Sequence, residues 1–341
     1  MLTYALIGCG RIAKNHIVAA LSQKDLHIAA VCDIIPERMD AMLALMPGEV
    51  RRNVRKFEDY REMLVEISPS LCAIATESGK HAAIALDCID AGSNVIIEKP
   101  IALSLADADE IIRRGKVKGV KVCACHQNRF NIAVQHIRSA LEQGRFGKLS
   151  HGSVHVRWNR NEDYYKQALW RGTKAQDGGA LMNQSIHGID LLCWMMGDGI
   201  DEIHSFIANR FHPYIECEDV GVAVIRFNNG ALGTIEGTVN VFPKNLEETL
   251  YIFGERGTVK AGGKSMNTID AWQFADEMPE DEEIRSIAEN TENVYGNGHT
   301  PLYADMIDAI ANDRPPYIDG EAGKRALEVV LRIYGNFPDQ A

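Results

Sequence analysis

Short, uninterrupted apolar runs alternate with helically patterned stretches through residues 1–126. The runs fall at 3–7, 27–32, 71–75, 95–97 and 117–125. Strands buried on both faces of a parallel sheet read this way, because helices cover each face and leave no position for regular polar alternation. Between the runs, apolar positions at helical spacing predict helices over 14–22, 36–46, 57–67, 80–91 and 103–113, with Ser104 as the amino-terminal cap of the last. Strands alternating with helices imply right-handed crossovers within one parallel sheet.

After residue 127 the period changes. Apolar residues alternate with polar ones over 149–159, 202–211, 220–227, 231–241, 248–253 and 257–261, and Asn228-Asn229-Gly230 supplies a hairpin turn. Such strands bury one face only. Helices are expected over 131–143, 176–197, 301–311 and 321–334. The fold class is therefore α/β, a doubly wound parallel sheet over 1–126 followed over 127–341 by an α+β domain with an open, mainly antiparallel sheet. The helix at 176–197 can cover one face of that sheet and a second subunit the other, so a homodimer or homotetramer is expected.

Composition narrows the class. With 341 residues, 46% of them hydrophobic, the chain can build two cored domains. A formal net charge of -11 disfavours nucleic acid and anionic membrane surfaces as partners. No leader-like start and no apolar stretch of membrane-spanning length is seen, which points to a cytoplasmic protein. The cysteines (Cys9, Cys32, Cys72, Cys88, Cys123, Cys125, Cys193, Cys217) are scattered, mostly in apolar runs, without zinc-ligand or C-x-x-C spacing. They read as reduced core thiols, and no metal site is expected.

The candidate chemistry begins where the first strand runs into Gly8-Cys9-Gly10-Arg11-Ile12-Ala13. Gly8 permits a tight turn, Gly10 lets the backbone approach a pyrophosphate, and Ala13 lets helix and strand pack closely. Arg11 and Ile12 lie at the helix amino terminus that would face the phosphates. Asp33 closes the second strand about twenty residues later, where a Rossmann domain places its ribose-binding acid. A carboxylate there accepts from ribose hydroxyls and repels a 2′-phosphate, which favours NAD over NADP despite nearby Arg38. Thr76 ends the third run beside the expected cofactor, and His81 five residues on reads by itself as structural. The strand at 95–97 leads into Glu98-Lys99-Pro100, where the strand emerges and where ligands of open α/β sheets bind, just outside the carboxyl ends of the strands. Pro100 restricts Lys99 and can hold a cis bond, so the ammonium is aimed.

In the second domain, Asn183, His187 and Asp190 fall at i, i+4 and i+7, a polar stripe along an otherwise apolar helix. An imidazole held by neighbours can take a proton from a hydroxyl near neutral pH. Upstream, Arg157, Arg160, Lys166, Arg171 and Lys174 cluster with Tyr164 and Tyr165, a set suited to a sugar bearing carboxylate or phosphate. His299 follows a glycine turn and is expected to reach the substrate.

On Gly8-x-Gly10-x-x-Ala13, Thr76 with His81, Glu98-Lys99-Pro100, and G-G-A-L-x-N-Q-x-x-H-x-x-D-L-L from Gly178 to Leu192, the chain resembles the Gfo/Idh/MocA oxidoreductase family over essentially its whole length. The resemblance implies hydride transfer between a sugar hydroxyl carbon and nicotinamide, with Lys99, His187 and Asn183 as the catalytic group. It implies cofactor binding by Gly8, Gly10, Arg11, Ile12, Ala13, Asp33, Thr76, His81, Glu98 and Lys99. Substrate binding would fall to Lys99, Arg157, Tyr165, Asn183, His187 and His299. The family usually has an aspartate four residues before the histidine, where Asn183 stands in this chain. Asn183, the stretch at 127–131 and the stretch at 298–303 are similar to the branch that oxidises UDP-N-acetylglucosaminuronate (UDP-N-acetyl-2-amino-2-deoxyglucuronate) at C3. Free-sugar and inositol dehydrogenases remain as alternatives, as does a non-catalytic NAD-binding regulator, against which the retention of Lys99 and His187 argues.

Overall fold

A computed structural model describes residues 1–197, 199–289 and 295–335. The chain divides into two compact units, Met1–His126 with His299–Lys324, and Gln127–Gly298 with the chain from Arg325 on. Residues 299–324, expected in the second domain, thus join the first.

The first unit contains β1 (Leu2–Ile7), β2 (Leu26–Cys32), β3 (Arg55–Phe57), β4 (Leu71–Ile74), β5 (Asn94–Glu98) and β6 (Val122–Cys125). Its helices are α1 (Ala13–Leu21), α2 (Pro36–Ala44), α3 (Gly48–Arg51), α4 (Tyr60–Ile67), α5 (His81–Asp90) and α6 (Leu105–Lys118). All strand pairs are parallel, in the order β3-β2-β1-β4-β5-β6. The apolar runs are buried throughout β4 and β6, as a sheet covered on both faces requires. The strand order reverses between β1 and β4, and ligands bind at such a switch point, outside the carboxyl ends of the strands. Two expectations need correction. The strand predicted over 117–125 begins only at Val122, because α6 continues to Lys118 and Gly119 caps it in the left-handed region at φ 68°. The stretch before α4 holds a three-residue edge strand, β3, which was not expected, and its Phe57 was expected to start a helix.

The second unit is built on β7 (Leu149–Arg157), β8 (Ile200–Ala208), β9 (Val220–Phe227), β10 (Leu232–Thr238), β11 (Glu247–Gly254), β12 (Gly257–Gly262) and β13 (Thr268–Phe274). The order is β13-β12-β11-β7-β10-β9-β8, antiparallel except for the parallel pair β7–β10. Helices α7 (Ile132–Glu142), α8 (Glu162–Lys166), α9 (Ile186–Met196) and α10 (Asp281–Arg285) accompany it. Helix α9 covers the face carried by β7, β10 and β11, and it sits so close that a Cβ on Gly188 would lie 2.7 Å from Val154 Cγ2. On the opposite face Val222, Val224 and Leu232 are exposed, the alternation expected of a sheet buried on one side. Helix α11 (His299–Ala311) returns to the first unit, and α12 (Gly320–Gly335) follows it. Among the described residues no helix is long and apolar enough to cross a membrane.

Candidate active site

In the first unit, the glycine turn lies at the β1/β4 switch point. Gly8 has φ +92°, and a Cβ there would stand 2.6 Å from the carbonyl carbon and oxygen of Ala75. Only glycine meets both conditions. Among the described residues, a Cβ on Gly10 would meet nothing within 4 Å, so they leave open space above the turn's second glycine. Ile12 precedes α1 without a side-chain cap, Arg11 is exposed, and Ala13 is fully buried against the sheet. The first amides of α1 are therefore unclaimed by a capping side chain, the arrangement that receives a pyrophosphate. Asp33, 8% exposed, accepts from the backbone N–H of Cys9 at 2.8 Å through Oδ2 and from that of Ile35 at 2.9 Å through Oδ1. Its carboxylate is thereby fixed beside the glycine turn, with Arg38 Nη1 4.0 Å away. Open space at Gly10, an uncapped helix start and a fixed acid after β2 together fit a dinucleotide.

Around Lys99 the geometry corrects three expectations. Lys99 is half-buried at the carboxyl end of β5, and its bond to Pro100 is cis. His81 is 1% exposed, with Nδ1 2.8 Å from the carbonyl oxygen of Pro100 and Nε2 3.2 Å from that of Thr76. It links the segments after β4 and β5, so both of its ring nitrogens are engaged by backbone carbonyls. Burial pushes its pKa down, against the pull of the two carbonyls and of Glu98. Thr76 itself is half-buried, its hydroxyl 3.4 Å from the Glu77 carbonyl. Glu98, expected to bind cofactor, turns inward: Oε1 lies 3.1 Å from His16 Nε2, and Oε2 accepts from the backbone N–H of Lys99 at 3.2 Å. His299, expected to bind substrate, is 4% exposed and faces the same carboxylate at 3.7 Å. Both belong to a buried cluster, because α11 folds back against α1.

In the second unit the predicted helix over 176–197 opens with a π-turn, Leu181–Ser185, before α9. The wider turn breaks the simple i, i+4, i+7 stripe. Asn183 Nδ2 donates to Asp177 Oδ1, while Asn183 Oδ1 accepts from Gln184 Nε2 at 2.9 Å. Gln184 Oε1 accepts from Arg160 Nε and Nη2 at 3.1 and 2.7 Å, and Gln184 Nε2 donates to the Tyr164 hydroxyl at 3.0 Å. Arg171 Nη1 donates to the same hydroxyl, with its guanidinium 4.3 Å from the Tyr164 ring centroid and 4.7 Å from that of Trp170. Asp177, 3% exposed, also accepts from the backbone N–H of Gly172 at 2.7 Å. A carboxylate therefore stands behind Asn183 after all, six residues upstream instead of at the position itself. His187 is 6% exposed in the first turn of α9. Asp190 leaves the stripe for a buried bidentate pair with Arg129, at 2.8 and 2.6 Å.

The two remaining substrate expectations fare differently. Arg157 is held by Glu236 at 2.8 and 2.5 Å and by Glu247 at 2.6 Å, so its guanidinium is already matched by carboxylates and is not offered to an anion. Tyr165 is 9% exposed within an aromatic group formed with Tyr164, His212 and Tyr214. Arg160, Tyr164 and Arg171, grouped in the sequence as an anion-binding set, join Gln184 and Asp177 in one polar network, and only the last two were given no role by sequence patterning. Gln184 follows Asn183 directly, and that adjacency was the available signal.

Glu218 anchors the same segment. Its Oε1 accepts from the backbone N–H of Leu181 at 2.7 Å and from the Tyr334 hydroxyl at 2.9 Å. Burial raises its carboxyl from the ordinary 4.5 to about 7, against those two hydrogen bonds. A folded-state value above the unfolded one means that this contribution to stability is complete below the unfolded value and is lost as pH rises through about 7. The loss reaches about 3 kcal/mol at alkaline pH. Glu218→Gln should flatten that slope. Urea midpoints measured across the neutral range check it, and parallel pH profiles for the two proteins would contradict it.

Comparison with known proteins agrees with this reading of the fold and cofactor. Residues 2–126 match the oxidoreductase family with an NAD-binding Rossmann fold, and residues 134–260 match the GFO/IDH/MocA C-terminal domain. Among solved structures, the chain is similar to the WlbA dehydrogenase of Bordetella pertussis in complex with NADH and UDP-GlcNAcA, with 36% identity and a TM-score of 0.88, covering 100% of this chain and 96% of that one. The WlbA dehydrogenase of Chromobacterium violaceum, in complex with the same two molecules, is 33% identical with a TM-score of 0.87, covering 100% and 97%. Myo-inositol 2-dehydrogenase of Thermotoga maritima is 24% identical over 325 residues, 94% of this chain and 92% of that protein. The chain belongs to the Gfo/Idh/MocA family of oxidoreductases, and it is an NAD-dependent sugar dehydrogenase.

Proposed function

We propose that the protein oxidises C3 of a nucleotide sugar, UDP-N-acetylglucosaminuronate. The observation that carries this reading is the 36% identity over the full chain to a dehydrogenase solved with NADH and UDP-GlcNAcA, against 24% to the inositol dehydrogenase. The chain's own residues support it. Arg171, among the described residues, makes no ion pair, and with Arg160 it is held beside Asn183 through Tyr164 and Gln184. A guanidinium so oriented suits a carboxylate or diphosphate oxygen pair. In this mechanism His187 accepts the proton of the sugar hydroxyl, Lys99 stabilises the charge that develops on that oxygen, and Asn183 orients the reacting group. The Gly8–Ala13 turn and Asp33 would hold NAD, which when bound would supply the hydride acceptor. A panel of UDP-N-acetylglucosaminuronate, UDP-N-acetylglucosamine, free hexoses and myo-inositol tests the specificity through kcat/KM. The nucleotide sugar acid should lead free sugars by about a hundredfold or more. Better turnover of a free sugar or inositol would favour the alternative instead.

Two properties accompany this reading. Asp33 should exclude NADP, and Asp33→Ala should narrow the difference between NAD and NADP affinities in competition titrations; equal affinities in the unaltered protein would contradict the assignment. The exposed Val222, Val224 and Leu232 on the open sheet face, together with Phe206 at 78% exposure, favour self-association through that face. Light scattering at low micromolar concentration should report a dimer or tetramer, and Val224→Lys should shift it towards monomer; a monomer for the unaltered protein would refute this.

A further inference from the structure

The buried cluster that removed Glu98 and His299 from the expected roles has the makings of a site of its own. His16 comes from α1, Glu98 from the end of β5, Cys125 from the end of β6 and His299 from the start of α11, all within the first unit. Their exposures are 0, 5, 0 and 4%, and one donor atom from each lies within 4.8 Å of all the others. Among the described residues, neither ring nitrogen of His299 has a hydrogen-bond partner. A buried polar side chain left so costs about 1–3 kcal/mol, which asks for a partner that the described residues do not supply.

Distance and charge both point to a cation. His16 Nε2 and His299 Nε2 stand 3.1 and 3.7 Å from the same oxygen of Glu98. Ligands about 2.0–2.3 Å from a tetrahedral zinc lie roughly 3.3–3.7 Å from one another, so the present spacings bracket a coordinated set. His16 Nδ1 is 2.7 Å from the Tyr303 hydroxyl, itself 2.9 Å from that of Tyr4. This chain of hydrogen bonds orients Nε2 towards the cluster, as an outer partner orients a metal-bound histidine. Burial and the charge of Glu98 push the Cys125 thiol well up, and burial pushes His299 down. Burial also opposes ionisation of Glu98, but His16 and His299 outweigh it and hold the carboxyl well below its usual range. A divalent ion would balance one carboxylate and one thiolate, leaving the buried site neutral.

We propose that His16, Glu98, Cys125 and His299 bind a divalent transition metal, with zinc the best match to two imidazoles, one carboxylate and one thiolate. Four protein ligands leave no open position, so the metal is structural. It ties α1 and the returning α11 to the ends of β5 and β6, and so braces the strand end that presents Lys99. The ligands escaped the sequence pattern because they are spread over positions 16, 98, 125 and 299.

Elemental analysis of the full chain, purified with its affinity tag removed and dialysed against a mild chelator, tests this independently of any sugar activity. About one zinc per chain is expected. Cobalt exchanged into the site should show tetrahedral visible bands and a near-ultraviolet thiolate band, and Cys125→Ser should lose the thiolate band. Stripping the metal with a strong chelator should lower the melting temperature of the unaltered protein, a readout that survives if the variant fails to fold. Zinc at a small fraction of one equivalent in protein grown with zinc, or a cobalt spectrum lacking the thiolate band, would overturn the proposal and leave the cluster as a hydrogen-bonded network alone.

Discussion

Lys99→Ala and His187→Ala should each lower NADH formation with the true substrate by about a hundred- to ten-thousand-fold, the usual cost of losing a proton acceptor or its electrostatic partner. NAD affinity should hardly change, because neither side chain belongs to the turn at Gly8–Ala13 proposed to receive the pyrophosphate. Asn183→Ala should cost less. An amide can orient a hydroxyl or an imidazole, but it cannot take a proton at neutral pH. Steady-state kinetics with cofactor titration separate these effects: kcat should fall with the cofactor Kd held. Either alanine variant turning over normally would remove that residue from the chemistry. Weakened NAD binding with unchanged turnover would move it to the cofactor site.

The second large effect concerns stability. Arg129 and Asp190 form a bidentate pair with side chains 4 and 2% exposed, and the Arg129 guanidinium also lies 4.7 Å from the Trp194 ring centroid. Removing one member of such a pair leaves a buried charge without its counterion, at a cost of about 3–5 kcal/mol. Arg129→Met should therefore shift the urea midpoint strongly downward. The double replacement Arg129→Met/Asp190→Leu should recover most of that loss, since apolar residues of similar volume avoid the desolvation penalty altogether. If the double variant is as unstable as the single one, the pair contributes through packing and not through charge. His187 lies three residues before Asp190 in α9, so the ion pair also fixes the rotation of the helix that carries the imidazole.

Much of the first unit was legible because its physics is local. Buried parallel strands such as β1, β4 and β5 are continuous apolar runs, and the glycine turn is a contiguous motif whose demands on φ and close approach can be read residue by residue. Strand β3 was hidden because its sequence, Arg55-Lys56-Phe57, buries only the phenylalanine. Strand β13 escaped for another reason. Its buried residues Ile269 and Trp272 are three apart, since a register shift against β12 lets Asp270 bulge and breaks the two-residue period.

The site was legible in its motifs and opaque in its partnerships. Lys99 and His187 could be singled out from Glu98-Lys99-Pro100 and from a polar stripe. No periodicity shows that Arg157 meets Glu236 and Glu247, 79 and 90 residues away, or that Asp190 meets Arg129, 61 residues away. The π-turn at Leu181–Ser185 is likewise invisible to a 3.6-residue rule, and it is what turns Asn183 to Asp177 and Gln184 instead of aligning it with Asp190. Long-range pairing of charges decided which predicted residues are open to a ligand, and that information lies in the topology.

Removal of hydride from C3 of a nucleotide sugar is tested most directly by isotope transfer. UDP-N-acetylglucosaminuronate deuterated at C3 is mixed with NAD and stoichiometric enzyme, and both products are analysed by mass spectrometry. Deuterium in the reduced cofactor, with a 3-keto sugar formed alongside it, is the expected result. Reduced cofactor without deuterium, or no reduction with this sugar while a free sugar or inositol does reduce NAD, would contradict it.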